Sequence, residues 1–270
     1  MSKMIENIKN KSVEQLRIQK KNAMRELDNP KATPENLRLA EAILDRIDEV
    51  LSARYLPGMI KTFSDVNPGG FYGEKQAIEE RDFKMDAIAL FRELLNKPVF
   101  YELLENKDFD ELLVRTKKVV NATNFIQASF ERPILFDAIK TELGAALFYP
   151  ALYNCLYGEG TPEQRLGRFA EVLIEMDLGK WTYASYFLFL AEPDSCMFVK
   201  PDMLKRALEM SKYDLIYEST PSEQKYKEIL EFSQWLKKQI RSLEPRDMVD
   251  VHSFIWYMAP TGIWKSEAES

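Results

Sequence analysis

The stretch KWTYASYFLFLAEPDSCMFVKPDMLKR, from Lys180 to Arg206, decides how this chain is interpreted. Its first part, Trp181–Leu190, is almost continuously apolar, which predicts a helix that is buried on most sides. The segment AEPDS that follows is rich in turn-forming residues, and CMFV after it predicts a short extended run. Pro201 then favours the start of a second helix, because its fixed backbone angle suits the first helical position.

Lys200 stands directly before this second helix. The first backbone N–H groups of a helix have no partner inside the helix, and they attract anions such as phosphate. A lysine at the same place adds a positive charge. The sequence therefore predicts an anion-binding position at Lys200, with an ordinary surface lysine as the alternative.

The chain outside this stretch also has a helical pattern. Apolar residues recur at steps of three and four, glycine is scarce at 10 of 270 residues, and long alternating β-branched runs are absent. These features predict an all-α fold. The further predicted helices cover residues 12–28, 34–55, 74–95, 99–105, 108–122, 133–156, 163–176, 222–243 and 246–258.

The strongest break in the chain is the segment NPGG at residues 67–70, which is typical turn chemistry. We therefore expect an N-terminal helical hairpin over residues 1–62, a loop at 63–73 and a larger helical domain over residues 74–260.

Composition excludes several classes of protein. Hydrophobic residues make up 46% of the chain and charged residues 30%, which is typical of an ordered globular protein. No apolar run approaches the roughly 18 residues of a membrane span, and the N-terminus lacks an apolar signal region. Two cysteines and one histidine argue against a metal site. We expect a cytoplasmic monomer that uses no cofactor or metal and contacts no membrane.

The net charge is −6, whereas general nucleic-acid binders usually carry a basic excess. Local patches rather than the total charge decide phosphate contacts. The acidic balance therefore disfavours DNA as a partner without excluding it.

The two halves of the opening stretch resemble the helix-hairpin-helix superfamily of DNA glycosylases, over roughly residues 165–215. In that family a Gly-rich hairpin ending in Lys-Thr-Ala opens an apolar helix, and a Val-Asp-x-His-Val-x-Arg motif follows a turn. Thr182 matches the family threonine and Val199 the first valine. Met203 matches the apolar position of the motif, and Lys205 matches the arginine.

The chain departs from the family at the positions that carry the chemistry. Lys200 stands where the family has its catalytic aspartate, and Asp202 stands where it has histidine. The lysine that bifunctional members use as a nucleophile falls near Trp181, with Lys180 beside it, and of the hairpin glycines only Gly179 is kept.

The resemblance implies an all-α, glycosylase-like fold and a DNA glycosylase that flips a modified or damaged base and excises it. An unusual catalytic set suggests an unusual base, such as a modified base of phage DNA attacked in bacterial defence. A desolvated Lys200 amine would attack the sugar, and Asp202 would supply a carboxylate. The base-pocket and DNA-binding positions would be Lys180, Trp181, Tyr183, Tyr186, Phe198, Lys205, Arg206, Arg246 and His252.

The C-terminal run LEPRDMVDVHSFIW, residues 243–256, is the second unusual segment, because charged groups crowd an apolar helix. Burial of a carboxylate or an imidazole costs free energy unless the group is paired. Asp250 is predicted either to act as the relocated catalytic carboxylate, meeting Lys200 or Arg206, or to form a structural ion pair. His252 is predicted to be either catalytic or structural.

Two other interpretations stand beside the enzyme. The chain could be a catalytically inactive helical module that binds DNA or a protein, or a structural protein whose resemblance is accidental. The enzyme requires Lys200 to line a concave site with a carboxylate nearby. The accidental resemblance requires the segment after Val199 to lie away from the hairpin.

Overall fold

The computed structural model describes residues 5–258, which are helical without a β-strand. The last two residues of the predicted domain, 259 and 260, lie outside this range. The α-helices are α1 (Val13–Leu27), α2 (Pro34–Val66), α3 (Glu74–Gln76), α4 (Asp82–Leu94), α5 (Lys97–Glu105), α6 (Phe109–Asn121), α7 (Glu131–Ile139), α8 (Glu142–Tyr157), α9 (Pro162–Glu175), α10 (Trp181–Ala191), α11 (Pro201–Ser211), α12 (Glu223–Gln239) and α13 (Met248–Met258). A π-helical turn, Ala77–Arg81, joins α3 to α4. The prediction of an all-α protein is confirmed.

The N-terminal helices pair as a hairpin, as predicted. Ser12 caps α1 through a reciprocal capping box with Gln15, and Thr33 caps α2 with Pro34 in the first turn. The facing residues form a small hydrophobic cluster, which includes Leu16 and Ile47. The hairpin also contacts the rest of the chain, since the Lys20 ammonium lies 4.2 Å from the centre of the Tyr213 ring.

Helix α2 continues beyond its predicted end and through the expected boundary at residue 62. Pro57 lies within the helix on an exposed position, where water can solvate the carbonyl that loses its partner. Met59 and Phe63 of the same helix are buried in the main hydrophobic core. The break in the chain therefore begins at Asn67, and a 3₁₀ turn, Gly70–Tyr72, interrupts the predicted loop.

The single helix predicted over residues 133–156 was wrong. The chain instead forms α7 and α8, which meet at Thr141. The Thr141 hydroxyl accepts a hydrogen bond from the Gly144 backbone N–H at 3.0 Å and so caps α8.

Helix α10 lies at the centre of the main core. Every residue from Trp181 to Leu190 is buried, as the apolar run predicts. A tight turn joins it to α9, in which Asp177 adopts a left-handed conformation with φ 57°. At Gly179 a Cβ atom would lie 2.8 Å from the Ile174 side chain, which explains a glycine there. The helix predicted over Trp181–Leu190 is therefore present.

Residues 192–200 return from the end of α10 to the start of α11 without regular structure. Side chains rather than a second strand satisfy their backbone groups. The Val199 N–H donates to Ser185 Oγ at 2.9 Å, and the Tyr226 hydroxyl bonds to both the N–H and the carbonyl of Met197 at 3.1 Å. These contacts fix where Lys200 emerges.

Candidate functional site

A groove of about 860 Å³ lies where α10 and α11 begin. We call it the lysine groove. Six of the twelve residues predicted for the site line it, namely Lys180, Trp181, Lys200, Asp202, Lys205 and Arg206. The two halves of the opening stretch, separate in sequence, therefore meet at one surface.

Lys180 and Lys200 occupy equivalent positions at the starts of α10 and α11. Each residue is the extended N-cap of its helix, and neither side chain caps the helix. The first-turn N–H groups of both helices are therefore left without a side-chain cap beside a lysine, which is the arrangement that attracts phosphate. Neither lysine forms a salt bridge with a described residue. The Lys200 ammonium donates to the Phe125 carbonyl at 3.2 Å.

Four further charged residues of the groove lie on α11 and are paired along that helix. Lys205 lies 3.9 Å from Asp202, and Arg206 lies 2.8 Å from Glu209. The Asp202 side chain is 97% exposed. Such exposed pairs contribute little to stability, so their charges stay available to a ligand.

Glu131 is the third acidic residue of the groove, and it is held in place. Its carboxylate accepts hydrogen bonds from the Thr182 hydroxyl and from the Gln127 backbone N–H, each at 2.9 Å. It therefore serves to join α7 to the start of α10.

Tyr183 and Tyr186, expected to form a base pocket, are part of the core instead, which corrects that prediction; Trp181 and Phe198 are buried as well, but Trp181 lines the groove and Phe198 a smaller cavity. Trp181, Tyr183, Tyr186 and Phe198 are each at most 3% exposed. The Trp181 indole N–H donates to the Glu218 carbonyl at 2.7 Å. Burial raises the pKa of the Tyr183 and Tyr186 hydroxyls well above the usual range. Only Trp181 of these four lines the groove.

Asp250 does not meet Lys200 or Arg206, and the expectation of a relocated catalytic carboxylate was wrong. Its carboxylate accepts hydrogen bonds from Arg81 Nη1 at 2.9 Å and from Arg246 Nε at 2.8 Å. Arg246, predicted to contact DNA, also donates to the Phe71 carbonyl at 2.9 Å. Both side chains therefore belong to an internal ion-pair cluster, the structural alternative for Asp250.

His252 lies in a second buried polar cluster. Its Nδ1 atom is 3.4 Å from the Lys84 ammonium, which also donates to Glu80 at 2.5 Å and to the Ser253 hydroxyl at 2.8 Å. Lys84 is fully buried. Burial lowers the pKa of Lys84, and the Glu80 carboxylate opposes that shift. Burial, together with the charges of Lys84 and Lys200, holds the pKa of His252 well below its usual value.

A smaller cavity of about 80 Å³ connects this cluster with the groove. Lys200, Met203 and Trp256 line both spaces. The remaining lining residues of the cavity are Glu80, Phe83, Asn124, Phe125, Phe198 and His252. The Phe125 and Phe198 rings stack against each other at 4.5 Å. The cavity thus combines aromatic walls with a few polar groups, as small-molecule sites do.

Sequence reasoning missed Glu80, Arg81 and Lys84. A signal existed for Lys84, because it shares one helical face with the apolar residues Ala87, Ile88 and Phe91. A lysine on a buried face implies a buried partner. Its partners could not be identified, since two of them lie on α13.

Comparison with known proteins gave no relative: no family model, no curated protein and no solved structure matches the chain. Within residues 5–258, no cluster of three or more His, Cys, Asp or Glu side chains could hold a metal ion. No helix in that range is long and apolar enough to cross a bilayer.

Proposed function

We propose that the protein is a DNA glycosylase that binds the DNA backbone along the lysine groove and excises a base whose edge enters the adjoining cavity. One observation carries the proposal: Lys200 borders both the open groove and the small aromatic cavity. A single ammonium group can therefore act between a backbone outside and a base inside.

The groove supplies the features that backbone binding requires. Helices α10 and α11 both begin at the groove, and the backbone N–H groups of their first turns have no side-chain cap. Lys180 and Lys200 add positive charge there without an acidic partner among the described residues. Phosphate contacts of this kind are independent of base sequence and weaken as salt is added. The volume of about 860 Å³ is within the range of ligand sites.

The chemistry follows from the position of Lys200. The side-chain amine of Lys200 bonds to C1′ of the deoxyribose while the bond from C1′ to the base breaks. The electron pair of the broken bond leaves with the base, and the departing base takes up the proton that the attacking nitrogen releases. Opening of the sugar ring then gives an imine, which water hydrolyses to release Lys200. Asp202, which lines the same groove, places a carboxylate near the developing positive charge.

Base release tests the proposal. Purified protein is incubated with duplexes that carry normal, damaged or phage-type modified bases, and alkali then converts abasic sites into strand breaks. We expect breaks with one substrate class, loss of breaks in Lys200→Ala, and a covalent protein–DNA adduct when borohydride is present. Lys140→Ala is the matched control, because Lys140 is an exposed lysine that lines neither the groove nor the cavity.

A second candidate function is DNA binding without catalysis. The burial of Trp181, Tyr183, Tyr186 and Phe198 favours it, because none of these four rings has an exposed face on which a flipped base could stack. Binding that weakens with salt and with Lys180→Glu, but that yields no strand breaks on any substrate, would establish this function in place of the enzyme.

A further inference from the structure

The cavity beside Lys200 contains an unusual polar group. His252 is 3% exposed, and its Nε2 atom has no hydrogen-bond partner among the described residues. A buried polar atom without a partner destabilises the fold, because it has lost its hydrogen bonds to water. The residue lines the cavity, so a ligand there would give Nε2 the partner that the protein does not.

The Lys84 contact favours one tautomer of His252. Lys84 Nζ pairs with the Glu80 carboxylate, which favours an ammonium group, and an ammonium has donors and no acceptor, so we assign Nδ1, 3.4 Å from Lys84 Nζ, as the acceptor. The proton of the neutral ring is then on Nε2. The Ser253 hydroxyl does not donate to His252 Nδ1 in place of Lys84, because its proton goes to the Val249 carbonyl at 3.0 Å.

The cavity therefore presents two donors to a ligand. One is the His252 Nε2–H, and the other is the Lys200 ammonium, whose single described hydrogen bond goes to the Phe125 carbonyl. A ligand atom that bonds to either of these donors must be a hydrogen-bond acceptor. The rings of Phe125 and His252, with centres 4.9 Å apart and planes inclined at 47°, make the surrounding wall aromatic.

The size of the cavity limits what enters it. About 80 Å³ corresponds to roughly two or three water molecules at liquid density. The edge of one ring fits this space, while the rest of a nucleotide would lie in the lysine groove, which shares Lys200, Met203 and Trp256 with the cavity.

We propose that the cavity binds a carbonyl-bearing edge of a planar nitrogen heterocycle, with the carbonyl oxygen accepting a hydrogen bond from His252 Nε2–H, while Lys200 Nζ stays at the border of cavity and groove, where it can reach the sugar. The heterocycle is a base of the oxo class, as opposed to one that presents only ring nitrogens and amino groups. Glu80, which lines the same cavity, is the acceptor for a ring N–H beside that carbonyl. This inference deepens the proposed glycosylase function and rests on it for the identity of the ligand as a base.

The chain has one histidine, so ¹⁵N-histidine labelling gives the NMR signals of a single imidazole. In the free protein at pH 7 we expect a neutral ring protonated at Nε2. Hypoxanthine and adenine are matched probes, since they differ mainly in an oxo or an amino group at position 6. Hypoxanthine should shift the Nε2–H signals, and adenine should bind at least about tenfold more weakly.

Variants separate the donor from the fold. His252→Gln keeps an amide N–H near the Nε2 position and should retain the preference for hypoxanthine, measured from the ligand signals. His252→Asn places its amide near Nδ1 and should lose the preference. Circular dichroism of both variants reports whether the fold is kept. Lys84→Met removes the group that fixes the tautomer and should populate the Nδ1–H form.

Two results would overturn the inference: an Nε2 atom without a proton in the free protein, or His252 signals that hypoxanthine leaves unchanged up to its solubility limit. The base-release assay is independent of this one. Selective hypoxanthine binding without base release would refute the enzyme and leave the cavity assignment standing, whereas base release without any effect on His252 would refute the assignment alone.

Discussion

Arg81 and Asp247 form a bidentate ion pair that joins the π-helical turn before α4 to the start of α13. Arg81 Nη1 lies 3.0 Å from Asp247 Oδ1, and Nη2 lies 2.7 Å from Oδ2. Both side chains are at most 15% exposed. Arg81 Nη1 also donates to Asp250, so one guanidinium holds two carboxylates of the last helix.

Removal of this guanidinium should destabilise the protein strongly. We expect Arg81→Ala to lower the free energy of unfolding by about 3 kcal/mol, because it leaves poorly solvated carboxylates without a partner. Arg81→Lys keeps the charge but loses the two-point geometry, so an intermediate loss is expected. Urea denaturation followed by circular dichroism measures both.

Arg46→Ala is the control for an ordinary surface pair. Arg46 lies 2.6 Å from Glu49, but the two side chains are 35% and 65% exposed. We expect a loss of less than about 1 kcal/mol. Equal losses in Arg46→Ala and Arg81→Ala would show that the Arg81 cluster contributes no more than surface charge does.

The same pair should make stability depend on acidity. Burial acts to raise the pKa of Asp247, but the hydrogen bond and charge of Arg81 outweigh it and hold the pKa below the usual value. A carboxyl whose pKa is lowered on folding stabilises the fold above its ordinary pKa, and the contribution disappears as the pH falls through the lowered value. The difference in unfolding free energy between wild type and Arg81→Ala should thus shrink between pH 5 and about pH 3. A constant difference would contradict the assignment.

The two cysteines should be unreactive in the native protein. Cys155 and Cys196 are at most 1% exposed, and burial raises the pKa of both thiols to about 12. At pH 8 the thiolate would be about one part in ten thousand. We expect Ellman's reagent to modify neither thiol until urea unfolds the chain and then to modify both. Reaction of either thiol before the unfolding transition would show that its surroundings open locally.

Local signals account for the parts of the fold that the sequence predicted correctly. The apolar run of α10 and the caps at Ser12 and Thr33 depend on neighbours within a few residues, so the sequence alone predicts them. Helix α2 continues through Pro57 because burial of Met59 and Phe63 in the core offsets the loss of the backbone hydrogen bond at the proline. That burial depends on residues distant in sequence and is therefore not visible in the local pattern. The break at Thr141 did carry a local signal, the cap to Gly144, but the apolar period running through it hid the helix end.

The site divides in the same way. Lys200 was found because it precedes a helix, a relation visible in the sequence, whereas Lys180 was named only through the family resemblance. The partner of Asp250 could not be identified, because Arg81 lies 169 positions away. Sequence spacing fixes the direction of a side chain on its own helix, but it does not identify the residue that this side chain meets.

Ser185 should matter more to the site than its position suggests. Its hydroxyl donates to the Trp181 carbonyl at 2.7 Å and accepts from the Val199 N–H at 2.9 Å, one residue before Lys200. Ser185→Ala leaves a buried N–H without a partner, at a cost of roughly 1–3 kcal/mol. It also releases the segment that positions Lys200. We expect lower unfolding free energy in urea and weaker binding of DNA in the lysine groove. Ser195→Ala, at an exposed position between α10 and α11, should change neither stability nor DNA binding. A Ser185→Ala protein that binds DNA like the wild type would show that α11 alone positions Lys200.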